Sequence, residues 1–349
     1  CTLDPVFNSA TTEYSCTVKN NISSVNVNAT ATSSKSKVRG LGSKDLAVGK
    51  NTLPIRVIAE DGSEKIYNVN VTRKREATSL KNEIMKNKII TAEPTLTTSS
   101  NNTSDESGLY KSTATNTAEP TYYFRGNVNN NYVSFAGFTW RIVRVNEDGT
   151  VRIIMQNGIN SNANIAFNSN RNSYTYMYYT NSYAKTQLES WYQTNIGSKT
   201  NLASKVASGA YYCEQAKAKH YDSDTSGNAT MTTYNKYTPD FKCSSDGNGK
   251  GVVNASVGLL SYDEVVYAGG YYNQNNSNYY LYILYMTWWT MSPAGISGSY
   301  LLEWGLGPSS NIRGNAVDTL NVVRPVLNLT TDTQISSGDG TKDNPFVVE

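Results

Sequence analysis

The sequence predicts two domains, an all-β sandwich followed by an α+β domain. At 349 residues the chain is long for a single hydrophobic core. Residues 1–74 alternate apolar and polar positions in short runs separated by turn residues, a pattern typical of a sandwich. In the remainder, strands come first and are followed by two helices and then by an aromatic-rich strand segment. Strands and helices do not alternate, which favours an α+β domain. We expect the sandwich at 1–74, a linker helix and irregular arm at 75–120, and the second domain at 121–349.

The charge balance does not support a nucleic-acid partner. Lys and Arg total 31 against 28 Asp and Glu, a formal net charge of +3, and no long basic run occurs. No apolar stretch reaches about 18 residues, so direct membrane insertion is not expected. The chain opens at Cys1 without a visible signal peptide or anchor, and we expect an expressed fragment without its targeting segments.

Four cysteines fall into two local pairs, Cys1 with Cys16 and Cys213 with Cys243. In a chain rich in strands and turns, the even count favours two disulfides and an extracellular or cell-surface location. Buried free thiols are the alternative. Neither pair has CxxC spacing, and the single histidine cannot complete a zinc site with them, so we expect no metal and no cofactor.

The N-terminal module contains four runs of alternating residues that predict strands, at Tyr14–Val18, Val25–Ala29, Leu53–Ala59 and Lys65–Thr72. The last two are connected through an Asp-Gly pair at positions 61 and 62, which predicts a hairpin. No cluster of catalytic side chains is visible in this module.

Two stretches of the module, LDPVFNSATTEYSCTV and IRVIAEDGSEKIYNVNVTR, resemble the bacterial cadherin-like β-sandwich repeat, a module of extracellular proteins. The resemblance covers residues 1–74 and implies a spacer or adhesion stalk unit without chemistry of its own. The carboxylates Glu60, Asp61 and Glu64 fit turn and solvated positions, with calcium ligation as the alternative.

The second half begins with a linker. Ser79 is a candidate N-cap for an amphipathic helix over Thr78–Lys88. From Thr91 to Pro120 few apolar residues occur, which predicts an irregular arm. The elements predicted after it are strands at Tyr122–Gly126, Tyr132–Val145 and Val151–Met155, a hairpin loop at Asn146–Gly149, and helices at Lys185–Tyr192 and Ser261–Gly270, the last with a capping box and a glycine stop.

Five stretches of the second half, FRGNVNNNYVSFAGFTWRIVRVNEDGTVRII, GLLSYDEVVYAGG, WWTMSP, VVRPVLNL and SGDGTKDNPFVV, are similar to the C-type lectin-like fold. The likeness spans residues 108–349 and is to a bacterial branch related to the formylglycine-generating enzyme and to variable proteins of diversity-generating retroelements. It implies that the first and last strands pair, with Tyr122–Phe124 beside Phe346–Val348. It also implies that the segment before the closing strand is a ligand surface.

No enzymatic activity is expected. His220 lies in a polar stretch without a recognisable nucleophile motif. The oxygen-using relatives need a reactive cysteine pair late in the chain, and no cysteine follows Cys243. Glu303 beside Trp304 leaves a glycan hydrolase as the weakest alternative, since any two acids can meet in space.

Calcium-dependent sugar binding is not expected either. The proline motif and the Trp-Asn-Asp motif of calcium-dependent lectins do not occur in the C-terminal domain. Asp222–Asp224 imitates the first half of an EF-hand loop, but the twelfth position is Thr233 and not glutamate. A polar disulfide loop is favoured there, with weak calcium binding as the alternative.

The stretch Tyr279–Leu329 is the expected recognition segment. Tyr and Trp offer rigid contact surfaces, and Ser, Gly and Asn offer adaptable hydrogen bonds. The loops at Tyr271–Tyr280 and Ser297–Asn321 have this content, although an AT-rich genome would also enrich Tyr and Asn. Trp289 and Arg324 are expected framework residues. The expected ligand contacts are Tyr285, Trp288, Tyr300, Leu302, Trp304, Ser309, Asn311, Arg313, Asn315 and Asp318.

Together these expectations define a secreted or cell-surface bacterial adhesion protein that binds a protein or glycan on another cell or surface. The competing class is a structural stalk or pilus-like subunit without a soluble ligand, whose aromatic segment packs against a neighbouring copy. Measuring molecular size over a concentration series separates these two classes, because only the stalk subunit would associate with itself through this segment.

Overall fold

The chain divides into two compact units, Cys1–Thr78 (unit 1) and Ser79–Glu349 (unit 2). The predicted end of the first domain, residue 74, lies close to this division. The structure is a computed structural model, and it describes residues 1–74, 76, 78–94, 96, 105–170, 176, 178–214, 239–243, 251–272, 275–297, 300–309 and 311–348, without the side chains of residues 272, 296 and 297.

Unit 1 is built from six strands. They are β1 (Glu13–Val18), β2 (Ser24–Val27), β3 (Lys37–Arg39), β4 (Gly42–Asp45), β5 (Gly49–Ile58) and β6 (Glu64–Arg73). One sheet has the order β1-β6-β5-β3 with β1 parallel to β6, and β2 pairs with β4 in a second sheet. The predicted hairpin between β5 and β6 is confirmed, and its Gly62 has φ +86°, a left-handed conformation that glycine adopts without strain.

The core of unit 1 is small. Its five buried residues come from both sheets and from the chain between them: Cys16, Val27, Leu46, Leu53 and Val71. The disulfide between Cys1 and Cys16 fixes the N-terminal segment to β1, as predicted. A domain of this size buries a modest apolar area, so a covalent link makes a large relative contribution to its stability.

Replacing both Cys1 and Cys16 with alanine is expected to lower the free energy of unfolding of unit 1 by about 3 kcal/mol, because the bridge closes a short loop in the unfolded chain. Calorimetry measures this, since all five tryptophans of the chain lie after residue 139 and fluorescence follows unit 2 alone. The matched control, alanine at Cys213 and Cys243, leaves the unit 1 transition in place. An unchanged unit 1 transition in the first variant would contradict the prediction.

Unit 2 is mostly β-structure with few helices. The remaining strands of the chain are β7 (Thr78–Ser79), β8 (Ile89–Ile90), β9 (Gly108–Ser112), β10 (Thr121–Arg125), β11 (Tyr132–Phe135), β12 (Phe138–Val145), β13 (Val151–Met155), β14 (Asn164–Ala166), β15 (Ala210–Cys213), β16 (Val252–Ala255), β17 (Tyr271–Tyr272), β18 (Trp288–Ser297), β19 (Tyr300–Leu306), β20 (Asn311–Ala316), β21 (Leu320–Val322), β22 (Val326–Leu329), β23 (Gln334–Ser337) and β24 (Phe346–Val348). The helices are α1 (Leu80–Ile84), α2 (Ile159–Asn162), α3 (Tyr183–Tyr192), α4 (Thr200–Ala203) and α5 (Tyr262–Ala268), with a 3-10 turn at Tyr179–Asn181 and a π-turn at Gln193–Gly197.

Two large sheets organise these strands. The first has the order β7-β23-β24-β11-β12-β10-β9-β8, with β13 on β12 and β22 on β13. The second has the order β14-β21-β18-β19-β20-β17, and β15 pairs with β16 separately. The strands β12, β13 and β22 are buried along nearly their whole length. They form the centre of the unit 2 core, and their apolar residues are interrupted by the buried Arg141, Arg144 and Arg152.

The helix signals in the sequence are largely confirmed. Ser79 caps α1, its hydroxyl accepting the Asn82 N–H at 3.1 Å. The helix ends at Ile84, earlier than predicted, where the Asn87 side chain donates to the Ile84 carbonyl at 2.7 Å. The helix α5 has the predicted capping box, and it ends at Gly269 with φ +122°.

The predicted pairing of Tyr122–Phe124 with the C-terminal strand is wrong. Both edges of β10 are occupied, by β9 and by β12, so β24 pairs in parallel with β11, where Val133 is opposite Phe346. The strand β9 also corrects the expectation of an irregular arm. Its Leu109 and Tyr110 are buried, which makes this part of the arm a sheet strand.

A buried ionic network connects α5 to the first sheet. Glu264 Oε1 accepts from Arg144 Nε at 3.1 Å and from Arg152 Nη1 at 2.5 Å, and its Oε2 accepts from the Ser261 N–H at 3.1 Å. Arg152 Nε donates to Asn328 Oδ1 at 3.0 Å. Burial opposes ionisation of Glu264, but the two arginines outweigh it and lower the pKa of this carboxyl. One carboxylate thus links α5 with β12 and β13.

Candidate ligand-binding groove

The strands β18, β19 and β20 form an antiparallel ribbon that supports the candidate site. Trp288 is opposite Leu306 in the first pair, and Leu306 is opposite Ile312 in the second. The short strand β17 joins β20 in parallel, with Tyr271 opposite Asn311. This pairing brings the loop after β17 beside the turn that connects β19 to β20.

A groove of about 340 Å³ lies between that loop and that turn. Its lining contains amide, hydroxyl and aromatic groups and no charged side chain. The lining residues are Asn275, Ser277, Tyr282, Leu284, Tyr285, Pro308 and Ser309. Small-molecule sites are typically concave and largely apolar, with a few polar groups that set orientation, and this groove has that composition.

Tyr285 is the most unusual residue of the groove. Its backbone has φ +60°, in the left-handed region that bulky side chains rarely adopt. Its side chain nevertheless points into solvent, with 83% of the residue exposed, and the neighbouring Leu284 is 59% exposed. Strained backbone clusters at functional sites, where it presents a side chain in a defined position.

The turn between β19 and β20 is shaped by Gly307. Its N–H donates to the Asn311 carbonyl at 2.9 Å. A β-carbon at Gly307 would lie 2.3 Å from Asn311 Oδ1 and 3.1 Å from Arg313 Nε, so only glycine fits there without displacing its neighbours. The guanidinium of Arg313 therefore lies directly beside the turn whose Pro308 and Ser309 line the groove.

Seven of the ten expected contact residues retain accessible surface. Tyr285 and Ser309 line the groove, and Arg313 and Asn311 lie beside its turn. The other accessible contact residues do not line the groove. The accessible residues are Tyr285, Tyr300, Leu302, Ser309, Asn311, Arg313 and Asp318.

Three of the expected ligand contacts are wrong, because the residues are buried: Trp288, Trp304 and Asn315. The Arg324 guanidinium lies over the Trp288 ring, 4.8 Å from its centroid, and the Trp304 ring lies 5.0 Å from that of Tyr262. Large aromatic rings contribute most to stability when packed in a core, which explains their inward position. Trp289 and Arg324, expected as framework, are buried as well.

Sequence reasoning included five further groove residues in its binding loops or recognition segment without naming them as contacts: Asn275, Ser277, Tyr282, Leu284 and Pro308. The signal available was the polar loop 275–278 and the Leu284-Tyr285 pair, which interrupts a segment otherwise destined for the core. Which of these side chains face one another depends on the β17 to β20 pairing. A contact between two-residue segments leaves no pattern in a single sequence.

Glu303 is not available to a ligand at the surface. Its residue is 0% exposed, and neither carboxylate oxygen has a hydrogen-bond partner among the residues that the structure describes. Burial raises the pKa of Glu303 well above its ordinary value, and the nearby Glu214 carboxyl raises it further. The hydrolase alternative therefore loses the one acid that suggested it, because a sugar in the groove cannot reach this carboxyl.

No group of three or more His, Cys, Asp or Glu that could hold a metal ion is found among the residues that the structure describes. His220 and the Asp222–Asp224 stretch lie outside the described residues. The disulfide between Cys213 and Cys243, at the two ends of this region, is formed as predicted.

Comparison with known families finds a match for unit 1. A family model described as a cadherin-like beta sandwich domain matches residues 1–74. No curated protein and no solved structure matches the chain. Within the described part of the chain, no helix combines the length and apolar character needed to cross a membrane. The cadherin-like domain and the two disulfides indicate an extracellular protein of the surface or adhesion type in general.

Proposed function

We propose that this is a bacterial surface protein in which a cadherin-like spacer carries a C-type lectin-like unit that binds a protein or glycan ligand. Unit 1 supports the spacer role, since residues 1–74 match the cadherin-like family model. The order of strands and helices in unit 2 supports the lectin-like assignment. The C-terminal β24 shares a sheet with β10 to β12, although it pairs with β11 and not with β10 as the resemblance implied.

The single observation that favours binding is the presentation of Tyr285. An unsupported apolar pair at the surface, on strained backbone, destabilises the free protein, and a ligand contact offsets that cost. Tyrosine at such a position gives a large contact area with little side-chain entropy to lose. The groove residues from two separate loops give the contact a defined shape.

The test is a double substitution, Leu284→Ser with Tyr285→Ala, screened with the parent chain on glycan and protein arrays. A central aromatic anchor contributes about 2 kcal/mol or more to binding, so a ligand of the parent should lose about 30-fold or more in affinity. The matched control is Tyr183→Ala, because Tyr183 is an exposed tyrosine on α3 that does not line the groove. It should bind like the parent.

Two results would contradict the proposal. Ligands that bind the double variant and the parent equally would place the site elsewhere. Concentration-dependent self-association that the double variant loses and Tyr183→Ala keeps would favour the stalk subunit, with the groove occupied by a second copy. Thermal unfolding of each variant, followed by tryptophan fluorescence, checks that unit 2 is intact.

A further inference from the structure

We infer that the groove binds a saccharide that carries a carboxylate, with Arg313 as the group that recognises the charge. The inference rests on the proposed function and narrows the ligand of the same groove to one chemical class. Three features support it, namely the charge distribution, the chemistry of the lining, and the position of the guanidinium.

The charge distribution favours an anionic ligand. None of the residues that line the groove is acidic. Arg313 is exposed and lies beside Gly307, in the turn whose Pro308 and Ser309 line the groove, and its guanidinium makes no ion pair with any residue that the structure describes. The contrast is with Arg144 and Arg152, which both bind Glu264. An uncompensated cation beside a neutral groove attracts ligands of negative charge.

The lining suits a sugar better than a protein surface. Asn275, Ser277 and Ser309 offer amide and hydroxyl groups to sugar hydroxyls, while the exposed ring of Tyr285 offers an apolar face to the C–H face of a pyranose. The volume of about 340 Å³ lies at the low end of small-molecule sites. A protein partner would need a broad contact of about 800 Å² on each side.

The position of Arg313 suits a carboxylate in particular. Its Nε lies 3.1 Å from the position that a β-carbon of Gly307 would occupy, which places the guanidinium beside the turn. A planar guanidinium donates two parallel N–H bonds to a carboxylate, which a lysine ammonium cannot do. Lysine at this position would therefore keep the charge and lose the paired geometry.

The experiment uses the full chain and two matched pairs of probes, trigalacturonic acid with its methyl ester and sialyllactose with its methyl ester. Each pair differs chiefly in the carboxylate, and comparing the two pairs distinguishes a uronic from a sialic acid. We expect at least one acid to bind about tenfold or more tightly than its neutral counterpart, with Tyr285 required. Arg313→Gln should abolish that preference, and Arg313→Lys should restore only part of it. The control Lys111→Gln should leave it unchanged, because Lys111 is an exposed cation of β9 that does not line the groove.

Several outcomes overturn the inference. The first is equal binding of the acid and neutral probes by the parent chain. The second is that Arg313→Gln lowers the affinities for the acid and neutral probes by the same factor, and the third is that neither acid binds. Arg313-dependent binding of an acidic peptide instead would assign a protein ligand to the groove. Tyr285-dependent binding of neutral sugars would leave the proposed function standing and reject only the carboxylate. Absence of any Tyr285-dependent ligand on the arrays would reject the proposed function itself.

Discussion

Replacing Glu264 with glutamine is expected to lower the free energy of unfolding of unit 2 by about 3–5 kcal/mol, because it leaves two buried arginines without their shared counter-charge. Arg144 keeps Glu147, whose Oε2 lies 3.1 Å from Arg144 Nη1, but Arg152 loses its carboxylate partner. The glutamine also presents an amide N–H₂ group to a region of donors. Urea unfolding followed by tryptophan fluorescence measures the loss.

The matched control is Glu189→Gln, which removes the carboxylate of a surface ion pair with Lys185 on α3. Both side chains are partly exposed there, and such pairs contribute about 0.3–0.5 kcal/mol. If the two substitutions destabilise unit 2 equally, the Glu264 network does not stabilise the junction of α5 and the first sheet. The lowered pKa of Glu264 adds a pH signature. Its contribution is present above the ordinary carboxyl pKa and is lost as the pH falls through the lowered value.

The sequence predicted elements whose signals are local. The capping box at Ser261 and Glu264 defines the start of α5 because both residues lie within one turn. The Asp-Gly pair between β5 and β6 defines a hairpin for the same reason. Neither signal reveals that the capping carboxylate also binds Arg144 and Arg152, more than 100 positions away in the chain.

Side-chain direction in the aromatic ribbon was predicted less well. Successive residues of a strand face opposite sides, but β18 and β19 are out of register after Trp289, where the pairing shifts twice. Alternation counted from one end therefore assigns the wrong face to residues at the other. Trp304 was expected at the surface because its segment resembles a ligand surface, and it lies in the core because β19 is buried at every residue from Glu303 to Leu306.

Predicting the groove requires both the local residue composition and the long-range pairing of strands. The residue types that suit binding are visible in the sequence, since Tyr, Asn and Ser are concentrated in the two loops. Their meeting depends on β17, a strand of two residues that pairs with β20. Composition could therefore indicate a binding segment and its approximate limits. It could not select Tyr285 and Ser309 over Trp304 and Asn315 as residues that line the groove.

Replacing Glu303 with methionine is expected to raise the stability of unit 2 at neutral pH by several kcal/mol, because the buried carboxyl must keep a proton that the unfolded chain has released. The pKa of Glu303 is raised in the folded state, so between the ordinary value of 4.5 and the raised value the folded protein holds a proton that the unfolded chain has lost. The stability of unit 2 then falls as the pH rises through this window. Below the window Glu303 is protonated in both states, and its contribution to stability is fully present. Methionine has a similar length and no titrating group.

The measurement is the difference in unfolding free energy between Glu303→Met and the parent from pH 4 to pH 8, again by tryptophan fluorescence. The difference should be small at pH 4 and should grow in favour of methionine as the pH rises, since the variant has no proton to lose. Glu303→Gln should show the same dependence on pH with a smaller gain, because its amide remains without partners. Glu119→Met, at an exposed position, should show no such dependence. A difference independent of pH would mean that the Glu303 carboxyl is as easily ionised in the core as in the unfolded chain.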